Sequence, residues 1–350
     1  MKVGIIGATG LVGQRFVQLL NNHPYFEISE LVASEESVNK AYEDAVENKI
    51  KRIPKEVKGK NVSAVDDDLD CQVVFSALPS RVAGEAERSL VERGHVVLTN
   101  ASSHRMEEGV PLVIPEVNPD HVQLVERWVE EKDQGFIVAN PNCSTIQLAL
   151  ALKPIYDRFC IDKVNVVTLQ ALSGAGYGGV AALEAADNVI PYIPGEEEKI
   201  EKEMLKIFGK LDDDGIERDD LTVSASCNRV NVSDGHLESV SIETSEKPEL
   251  SELKGCLKDF KGVPQELNLP SAPKRPVVLC KGKDRPQPRV DLEDNHSMSV
   301  YVGRVRKDSI LDYKFTVLGH NTIRGAAGAS VLNAELLHSR GYLGRGEIDE

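Results

Sequence analysis

The start of the chain joins an apolar run to a helical pattern through three spaced glycines. Residues 2–33 read KVGIIGATGLVGQRFVQLLNNHPYFEISELVA. Apolar side chains after the glycines recur at the spacing of one helical face, at Val12, Phe16, Leu19 and Leu20. Glycines at such a junction allow a tight turn and let a pyrophosphate approach the N–H groups of a helix N-terminus. The order of strand, glycine turn and helix predicts a dinucleotide-binding loop at Gly7, Gly10 and Gly13, although GxxGxxG differs from GxGxxG.

Short apolar runs alternate with helical patterns over the first 140 residues. The runs occupy residues 3–6, 28–33, 72–78, 95–99 and 136–139. This rhythm is typical of βαβ units and predicts an N-terminal Rossmann-type domain with a parallel sheet. From residue 161 onward, longer strands with β-type alternation predict an α+β domain with a mostly antiparallel sheet. Residues 38–60 are polar and are expected to be exposed.

Length and charge limit the class of protein. A chain of 350 residues is expected to form two domains. Its net charge of −15 argues against nucleic-acid partners and against attraction to an anionic membrane. There is no apolar stretch of membrane-spanning length and no signal-peptide pattern, so we expect a cytoplasmic protein that binds small molecules. Six cysteines without CxxC spacing predict neither a disulfide framework nor a metal site.

One cysteine stands at a junction between a strand and a helix. In ANPNCSTIQLALALKP, Pro141 ends an apolar run and residues 146–153 have a helical pattern, with Asn142 or Ser144 as the N-cap. Cys143 is therefore expected at a helix N-terminus, where partial positive charge lowers the pKa of a thiol and unpaired N–H groups can hold an oxyanion. The sequence predicts that Cys143 is a nucleophile; the alternative is a buried cysteine on a turn.

A basic partner for the thiol lies further along the chain. If Asp234-Gly235 forms a hairpin turn, Arg229 and His236 lie on one sheet face. A histidine there can act as general acid or base, and an arginine can bind a carboxylate bidentately. Alternatively, the histidine is structural and the arginine belongs to an exposed ion pair.

Other polar residues follow strand ends or share a helix. Glu196 and Lys199 lie three residues apart on a predicted helix and can bind an amine and an anion, although a charged surface helix shows the same pattern. Arg105 follows a strand end, where α/β sheets bind ligands. The glycine-rich residues 173–179 follow the strand that ends in Gln170; they either approach a cofactor or turn a corner.

The residues after the second strand bear on the choice of cofactor. Ser34 occupies the place where an acidic residue would bind the ribose 2′-hydroxyl of NAD, which favours the 2′-phosphate of NADP. Glu35 and Glu36 would repel that phosphate, whereas Ser37 and Lys40 can compensate. The sequence therefore favours NADP.

These motifs together resemble aspartate-β-semialdehyde dehydrogenase, and in particular its archaeal and fungal-like branch. The resemblance covers nearly the whole chain in one order: GATGLVG, SALPS, RMEEGVPLVIPEVN, NPNCST, LQALSGAGY, EEEKIEKE, the spacing from Arg229 to His236, DRPQPR and HNTIRGAAGASVLNAE. It implies NADP-linked reductive dephosphorylation of L-4-aspartyl phosphate to L-aspartate 4-semialdehyde through an acyl-enzyme thioester, in lysine, methionine and threonine biosynthesis.

The resemblance also implies residue roles. Cys143 is the nucleophile, His236 the acid/base group and Gln170 the residue that orients the substrate. The substrate-binding residues are Asn142, Arg229 for the α-carboxylate, Glu196 for the amino group, and Arg105 and Lys199 for phosphate. The cofactor contacts are Gly7, Thr9, Gly10, Leu11, Val12, Gly13, Ser34, Ser37, Ser76, Ser173, Gly174 and Asn321. Glu36 replaces the arginine usual in the family, so the choice between NADP and NAD stays open.

Domain limits and assembly follow from the same resemblance. The dinucleotide-binding domain is expected to comprise residues 1–142 and 321–350, and the catalytic and dimerisation domain residues 143–320. The protein is expected to be a homodimer or homotetramer that is joined through the mostly antiparallel sheet.

Three alternative functions remain at this point. N-acetyl-glutamyl-phosphate reductase and malonyl-CoA reductase are enzymes that also act through a thioester with a cysteine. An acetylated amine, however, has no use for Glu196, and in known malonyl-CoA reductases the asparagine before the cysteine is replaced. The third alternative is a non-catalytic, redox-sensing nucleotide binder in which Cys143 is an oxidisable thiol.

Overall fold

The computed structural model describes residues 1–126, 135–213, 215–292 and 297–344. The helices are α1 (Leu11–Leu20), α2 (Tyr42–Ala45), α3 (Lys55–Lys58), α4 (Ser80–Glu92), α5 (Cys143–Phe159), α6 (Ala182–Ala185), α7 (Glu196–Ile207), α8 (Leu250–Asp259), α9 (Val263–Glu266), α10 (Pro288–Asp291) and α11 (Gly328–Ser339). Across the described ranges, no helix combines the length and the apolar character that crossing a bilayer requires.

The first sheet is parallel and has five strands. These are β1 (Lys2–Ile6), β2 (Glu27–Val32), β3 (Val73–Ser76), β4 (Val96–Thr99) and β5 (Ile137–Ala139), in the order β2-β1-β3-β4-β5. Its central strands β3 and β4 are buried at every position, as expected of a parallel sheet covered on both faces. The apolar runs of the sequence correspond to these strands, so the predicted Rossmann-type sheet is confirmed.

The second sheet has seven strands and is mixed. The remaining strands of the chain are β6 (Ile161–Gln170), β7 (Val189–Ile190), β8 (Lys210–Leu211), β9 (Ile216–Glu217), β10 (Thr222–Val230), β11 (His236–Thr244), β12 (Val277–Leu279), β13 (Val300–Lys307) and β14 (Tyr313–Gly319). The sheet order is β12-β13-β14-β11-β6-β10-β7, and β8 pairs with β9 in a separate two-stranded sheet. Parallel pairing is confined to β6 with β10 and β12 with β13, which confirms a mostly antiparallel sheet within the described residues.

The predicted hairpin between residues 229 and 236 is wrong. Strand β6 lies between β10 and β11, parallel to the first and antiparallel to the second. Alternation along a strand determines which face a side chain occupies, but it carries no information about which strand lies beside it. Arg229 and His236 are therefore brought together across β6 and not across a turn.

Two further segments join the first sheet to the rest of the molecule. The π-helical segment Ile323–Ala327 packs against α1 and α5, and α11 packs against α1 and β4. The polar stretch of residues 38–60 is not wholly exposed as predicted, because Tyr42 and Val57 are buried. The Tyr42 hydroxyl donates to the Ala8 carbonyl at 2.8 Å and so supports the glycine loop.

Candidate active site

Three neighbouring strands of the second sheet bring polar residues to one end. β6 ends with Gln170, and Arg229 on β10 pairs in register with it. His236 begins β11, next to Leu237, which pairs with Leu169. The side chains of Gln170, Arg229 and His236 are all buried. The residues that the sequence predicts to act together are therefore close in the structure.

Cys143 is the first residue of α5, as predicted. Asn142 is the N-cap, and its side-chain oxygen accepts from the amides of Ser144 at 2.9 Å and Thr145 at 3.4 Å. These two amides are used by the cap, so they do not contribute to the predicted oxyanion site. The amide of Cys143 itself has no acceptor among the described residues and remains for that purpose.

The thiol and the imidazole are in contact. The Sγ atom of Cys143 lies 3.2 Å from Nε2 of His236. The backbone N–H of Ala171 donates to Nδ1 of the same ring at 3.0 Å. A neutral imidazole that accepts at Nδ1 carries its proton on Nε2, which here faces the sulfur. Nε2 is thus the atom through which His236 acts on the reacting groups.

The pKa of the thiol differs from the sequence prediction. Burial, together with the charge of Glu196, raises the pKa of Cys143 to about 12, against the opposing influence of Arg105 and Arg229. Burial and the nearby Arg229 lower the pKa of His236 to about 3. The favourable effect of a helix N-terminus, about 0.3–1 kcal/mol, is smaller than the cost of burying a thiolate. The expected lowering is therefore wrong for this conformation, and the pair is neutral.

A carboxylate and a guanidinium flank this pair. Glu196 accepts from Nδ2 of Asn142 and Nζ of Lys199, both at 2.8 Å, and from Nε2 of Gln170 at 3.4 Å. Burial works to raise the pKa of Glu196, but Lys199 and the hydrogen bonds outweigh it, so this pKa lies below its ordinary value. Arg229 donates to the Ala171 carbonyl at 2.7 Å. The site thus offers a fixed negative and a fixed positive group.

Arg105 approaches the same place from the first sheet. Its guanidinium donates to the carbonyl of Asn100 at 2.7 Å and to Glu203 at 2.8 Å. Glu203 was not among the residues predicted from the sequence. It lies seven residues after Glu196, which is two helical turns on the same face of α7, and this spacing is a signal that could have identified it.

The glycine loop has the shape that a dinucleotide requires. Gly7 has a φ of +75°, and a Cβ there would lie 2.8 Å from the Ala77 carbonyl oxygen. A Cβ at Gly13 would lie 2.1 Å from the Gly7 carbonyl oxygen. Helix α1 begins at Leu11 without a side-chain cap at Gly10, so its first N–H groups remain for an anion. The predicted contacts within this turn are Gly7, Thr9, Gly10, Leu11, Val12 and Gly13.

The other predicted cofactor residues fall into separate groups. Asn321 donates to the Ser173 hydroxyl at 2.9 Å and accepts from the Gly235 amide at 2.8 Å. A Cβ at Gly174 would lie 3.0 Å from Cε1 of His236, so this residue lies directly on the imidazole ring. Ser173 and Leu11 line one cleft, so the start of α1 and the glycine-rich segment of residues 173–179 lie on the same cleft.

Three predicted serines lie away from the group formed by Ser173, Gly174 and Asn321. Ser34 is exposed beyond the end of β2 and precedes the short 3₁₀ helix Glu35–Ser37. Ser76 is buried, and its hydroxyl donates to the buried Glu87 at 2.5 Å. The structure therefore places Ser34 and Ser37 beside the glycine loop at the carboxyl end of the parallel sheet, whereas the Ser76 hydroxyl is engaged in the interior.

Comparisons with known proteins match both halves of the chain. Residues 2–125 match the family model for the semialdehyde dehydrogenase NAD binding domain, and residues 152–324 match that for the semialdehyde dehydrogenase dimerisation domain. The chain is 49% identical to aspartate-semialdehyde dehydrogenase from Archaeoglobus fulgidus, over 96% of this chain and 97% of that protein.

Solved structures give the same result. Aspartate semialdehyde dehydrogenase with NADP from Candida albicans is 42% identical with a TM-score of 0.91, over 98% of this chain and 99% of the other. Aspartate semialdehyde dehydrogenase II from Vibrio cholerae is 30% identical with a TM-score of 0.79, over the same shares. With identity of this extent along nearly its whole length, the chain belongs to the aspartate-semialdehyde dehydrogenase family.

Proposed function

We propose that this protein is an NADP-dependent aspartate-semialdehyde dehydrogenase that converts L-4-aspartyl phosphate to L-aspartate 4-semialdehyde in lysine, methionine and threonine biosynthesis. The observation that carries this proposal is the 3.2 Å contact between Sγ of Cys143 and Nε2 of His236, flanked by groups of opposite charge. Sequence identity to members of the family supports the same substrate.

The charged groups of the site suit the two ends of an amino-acid substrate. Arg229 binds the α-carboxylate and Glu196 the amino group, because each is buried and charged opposite to its ligand. Asn142 and Gln170 both donate to Glu196, and we assign them the orientation of the substrate beside the thiol. Arg105 and Lys199 supply positive charge for the phosphate.

The reaction is divided into two steps by the sulfur. Sγ of Cys143 attacks the acyl carbon and forms the C–S bond, while the C–O bond to phosphate breaks with its electron pair on the phosphate, and the departing phosphate takes up the thiol proton. NADPH, when bound, supplies the hydride that reduces the resulting thioester. Nε2–H of His236 donates its proton to the former carbonyl oxygen as the thioester is reduced. The same nitrogen takes the proton back when the C–S bond breaks, which releases the aldehyde and leaves a thiolate that regains a proton from solvent.

The residues of the glycine loop fit a dinucleotide. Gly7 and Gly13 leave room that a Cβ would fill, and the N-terminus of α1 offers its N–H groups to the pyrophosphate. Ser34 and Ser37 are proposed to bind the 2′-phosphate, and Ser173, Gly174 and Asn321 the part of the cofactor nearest the thiol. The Candida albicans relative contains NADP, which supports this choice.

We also propose the division of the chain and its assembly. Residues 1–142 and 321–350 form the dinucleotide-binding domain, and residues 143–320 form the catalytic and dimerisation domain; residues 127–134, 214, 293–296 and 345–350 lie outside the described ranges. Packing of α11 against α1 and β4 supports this division. The exposed face of the second sheet supports a homodimer, or a homotetramer built from it, and the proposed pathway supports a cytoplasmic location.

A single assay tests the enzymatic proposal. NADP reduction is measured with aspartate semialdehyde and phosphate, and Cys143→Ser is expected to lower turnover about a thousandfold while cofactor affinity is retained. Cys160→Ser, which changes an exposed cysteine, is the matched control and should behave as the wild type. Near-normal turnover by Cys143→Ser would contradict the assignment. Faster turnover with N-acetylglutamate semialdehyde, or CoA-dependent oxidation of malonate semialdehyde, would favour one of the alternative enzymes.

A further inference from the structure

Helix α7 carries a buried charged residue that the proposed chemistry does not use. Glu203 is only 1% exposed and lies on the face of α7 that also presents Glu196 to the site. A buried carboxylate is costly unless it is paired and hydrogen-bonded. The position of Glu203 in the molecule therefore calls for a specific set of partners.

Both oxygens of Glu203 bind groups of the active site. One accepts from the Arg105 guanidinium at 2.8 Å, and the other accepts from the backbone amide of Asn142 at 2.7 Å. Arg105 follows the end of β4, whereas Asn142 directly precedes the nucleophile at the end of β5. One carboxylate thus connects the cation proposed for phosphate to the first turn of the cysteine helix.

The same helix also holds the backbone that carries Arg105. One turn beyond Glu203, the buried Nζ of Lys206 donates to the carbonyls of Arg105 at 2.8 Å, Glu107 at 2.9 Å and Val110 at 2.8 Å. The guanidinium is further held by the Asn100 carbonyl at 2.7 Å. Arg105 is therefore fixed at its main chain and at its side chain, mostly through α7.

We propose that Glu203 is a positioning residue that holds the Arg105 guanidinium at a fixed place relative to Cys143 for the binding and departure of phosphate. This inference rests on the proposed function and deepens it. The negative charge of Glu203 does not attract phosphate, so its contribution is geometric: two charge-assisted hydrogen bonds fix the cation and the nucleophile loop with respect to each other.

Replacing Glu203 by glutamine tests this role. Glu203→Gln keeps the shape and an acceptor for the Asn142 amide but removes the ion pair with Arg105. We expect KM for phosphate to rise about tenfold while KM for aspartate semialdehyde stays within about twofold, because Arg229 and Glu196 are untouched. Glu198→Gln, at an exposed position of the same helix, is the matched control and should change neither constant.

A binding measurement keeps the test valid if turnover is lost. Bound phosphate is expected to protect Cys143 from alkylation, and the concentration for half protection should rise about tenfold in Glu203→Gln, in parallel with KM. Thermal melting and dinucleotide binding verify that the variant is folded. An unchanged phosphate dependence, or an equal rise of KM for both substrates, would overturn the proposal.

A double-mutant cycle shows whether Glu203 acts through Arg105. Arg105→Lys should itself raise KM for phosphate, and adding Glu203→Gln should raise it little further, because the partner of the carboxylate has already been altered. Additive effects would overturn the proposal. The outcomes also separate the two proposals: a wild-type protein without phosphate-dependent turnover refutes the function, whereas normal turnover with an unaffected Glu203→Gln refutes only the positioning role.

Discussion

At the scale of single residues, the resting state of Cys143 follows from its surroundings. The helix N-terminus and two arginines favour a thiolate, but burial and Glu196 act more strongly in the opposite direction. His236 remains neutral because its ring is buried near Arg229 and its Nδ1 is already bonded to an amide. These surroundings therefore favour a neutral thiol and a neutral imidazole over an ion pair.

Alkylation of Cys143 by iodoacetamide tests this protonation state. Below the pKa of a thiol, the thiolate fraction grows with pH, so the rate should rise about tenfold per unit between about pH 7 and 9 without a plateau. The labelled residue is identified by mass spectrometry, with Cys143→Ser as the control. A rate that is constant across neutral pH would show that a thiolate–imidazolium pair is present instead.

Local sequence determined part of this site and distant segments the rest. The helix start was predicted, and Asn142 is one of the two predicted N-cap candidates, because both features depend on a few consecutive residues. The direction of the shift in the thiol pKa was not predicted, because the thiol is buried by residues that are remote in sequence. One of them is Gly325, where a Cβ would lie only 2.8 Å from Cβ of Cys143. The role of Glu203 was not predicted because its hydrogen-bond partners, Asn142 and Arg105, lie 61 and 98 positions away in the sequence.

At the scale of elements, the contact between β1 and α1 depends on a missing side chain. The Cα atom of Gly13 packs directly against the backbone of the turn at Gly7 and Ala8. A Cβ at position 13 would also lie 2.7 Å from Cα of Ala8. The neighbouring atoms are backbone, so they cannot move aside cheaply. The strand and the helix can approach this closely only with glycine at position 13.

Gly13→Ala should therefore disrupt the loop. We expect a loss of about 1–3 kcal/mol in the free energy of unfolding from overpacking, together with weaker dinucleotide binding. Chemical denaturation and a cofactor titration measure the two effects. Gly59→Ala is the matched control, since a Cβ there has no atom within 4 Å, and it should change neither property. Wild-type behaviour of Gly13→Ala would remove the steric argument.

The order of elements shows which patterns predict topology. The parallel sheet was predicted because a helix that connects two strands of one sheet makes those strands parallel. The position of β6 between β10 and β11 was not predicted, since β6 precedes both by about fifty residues or more along the chain. Short turns such as Asp234-Gly235 favour a hairpin only where no third strand competes for the shared edge.

At the scale of the whole molecule, one face of the second sheet carries exposed apolar side chains. Helix α5 packs against β6, β11, β13 and β14 on the inner face. On the outer face, Val167 and Leu169 of the central strand β6 are 37% and 36% exposed. Apolar side chains in the middle of an open sheet face are typical of a surface that another chain covers.

A lysine at the centre of this face should separate the subunits. Val167→Lys places a charge where the proposed homodimer buries apolar surface, so light scattering after size exclusion should show a shift toward the mass of one 38.3 kDa chain. Val82→Lys, on helix α4 of the first domain, is the control and should leave the mass unchanged. An unaltered mass for Val167→Lys would contradict assembly through this face.

The return of residues 321–325 to Cys143 also affects the order in which the site can form during synthesis. Asn321 bonds to Ser173 and Gly235, and Gly325 lies against the cysteine, so the site includes residues that are translated well after the thiol and the imidazole. A nascent chain that has released Cys143 and His236 from the ribosome still lacks these contacts. The whole site can therefore assemble only after residue 325 has been translated, and products that terminate before residue 321 cannot form it.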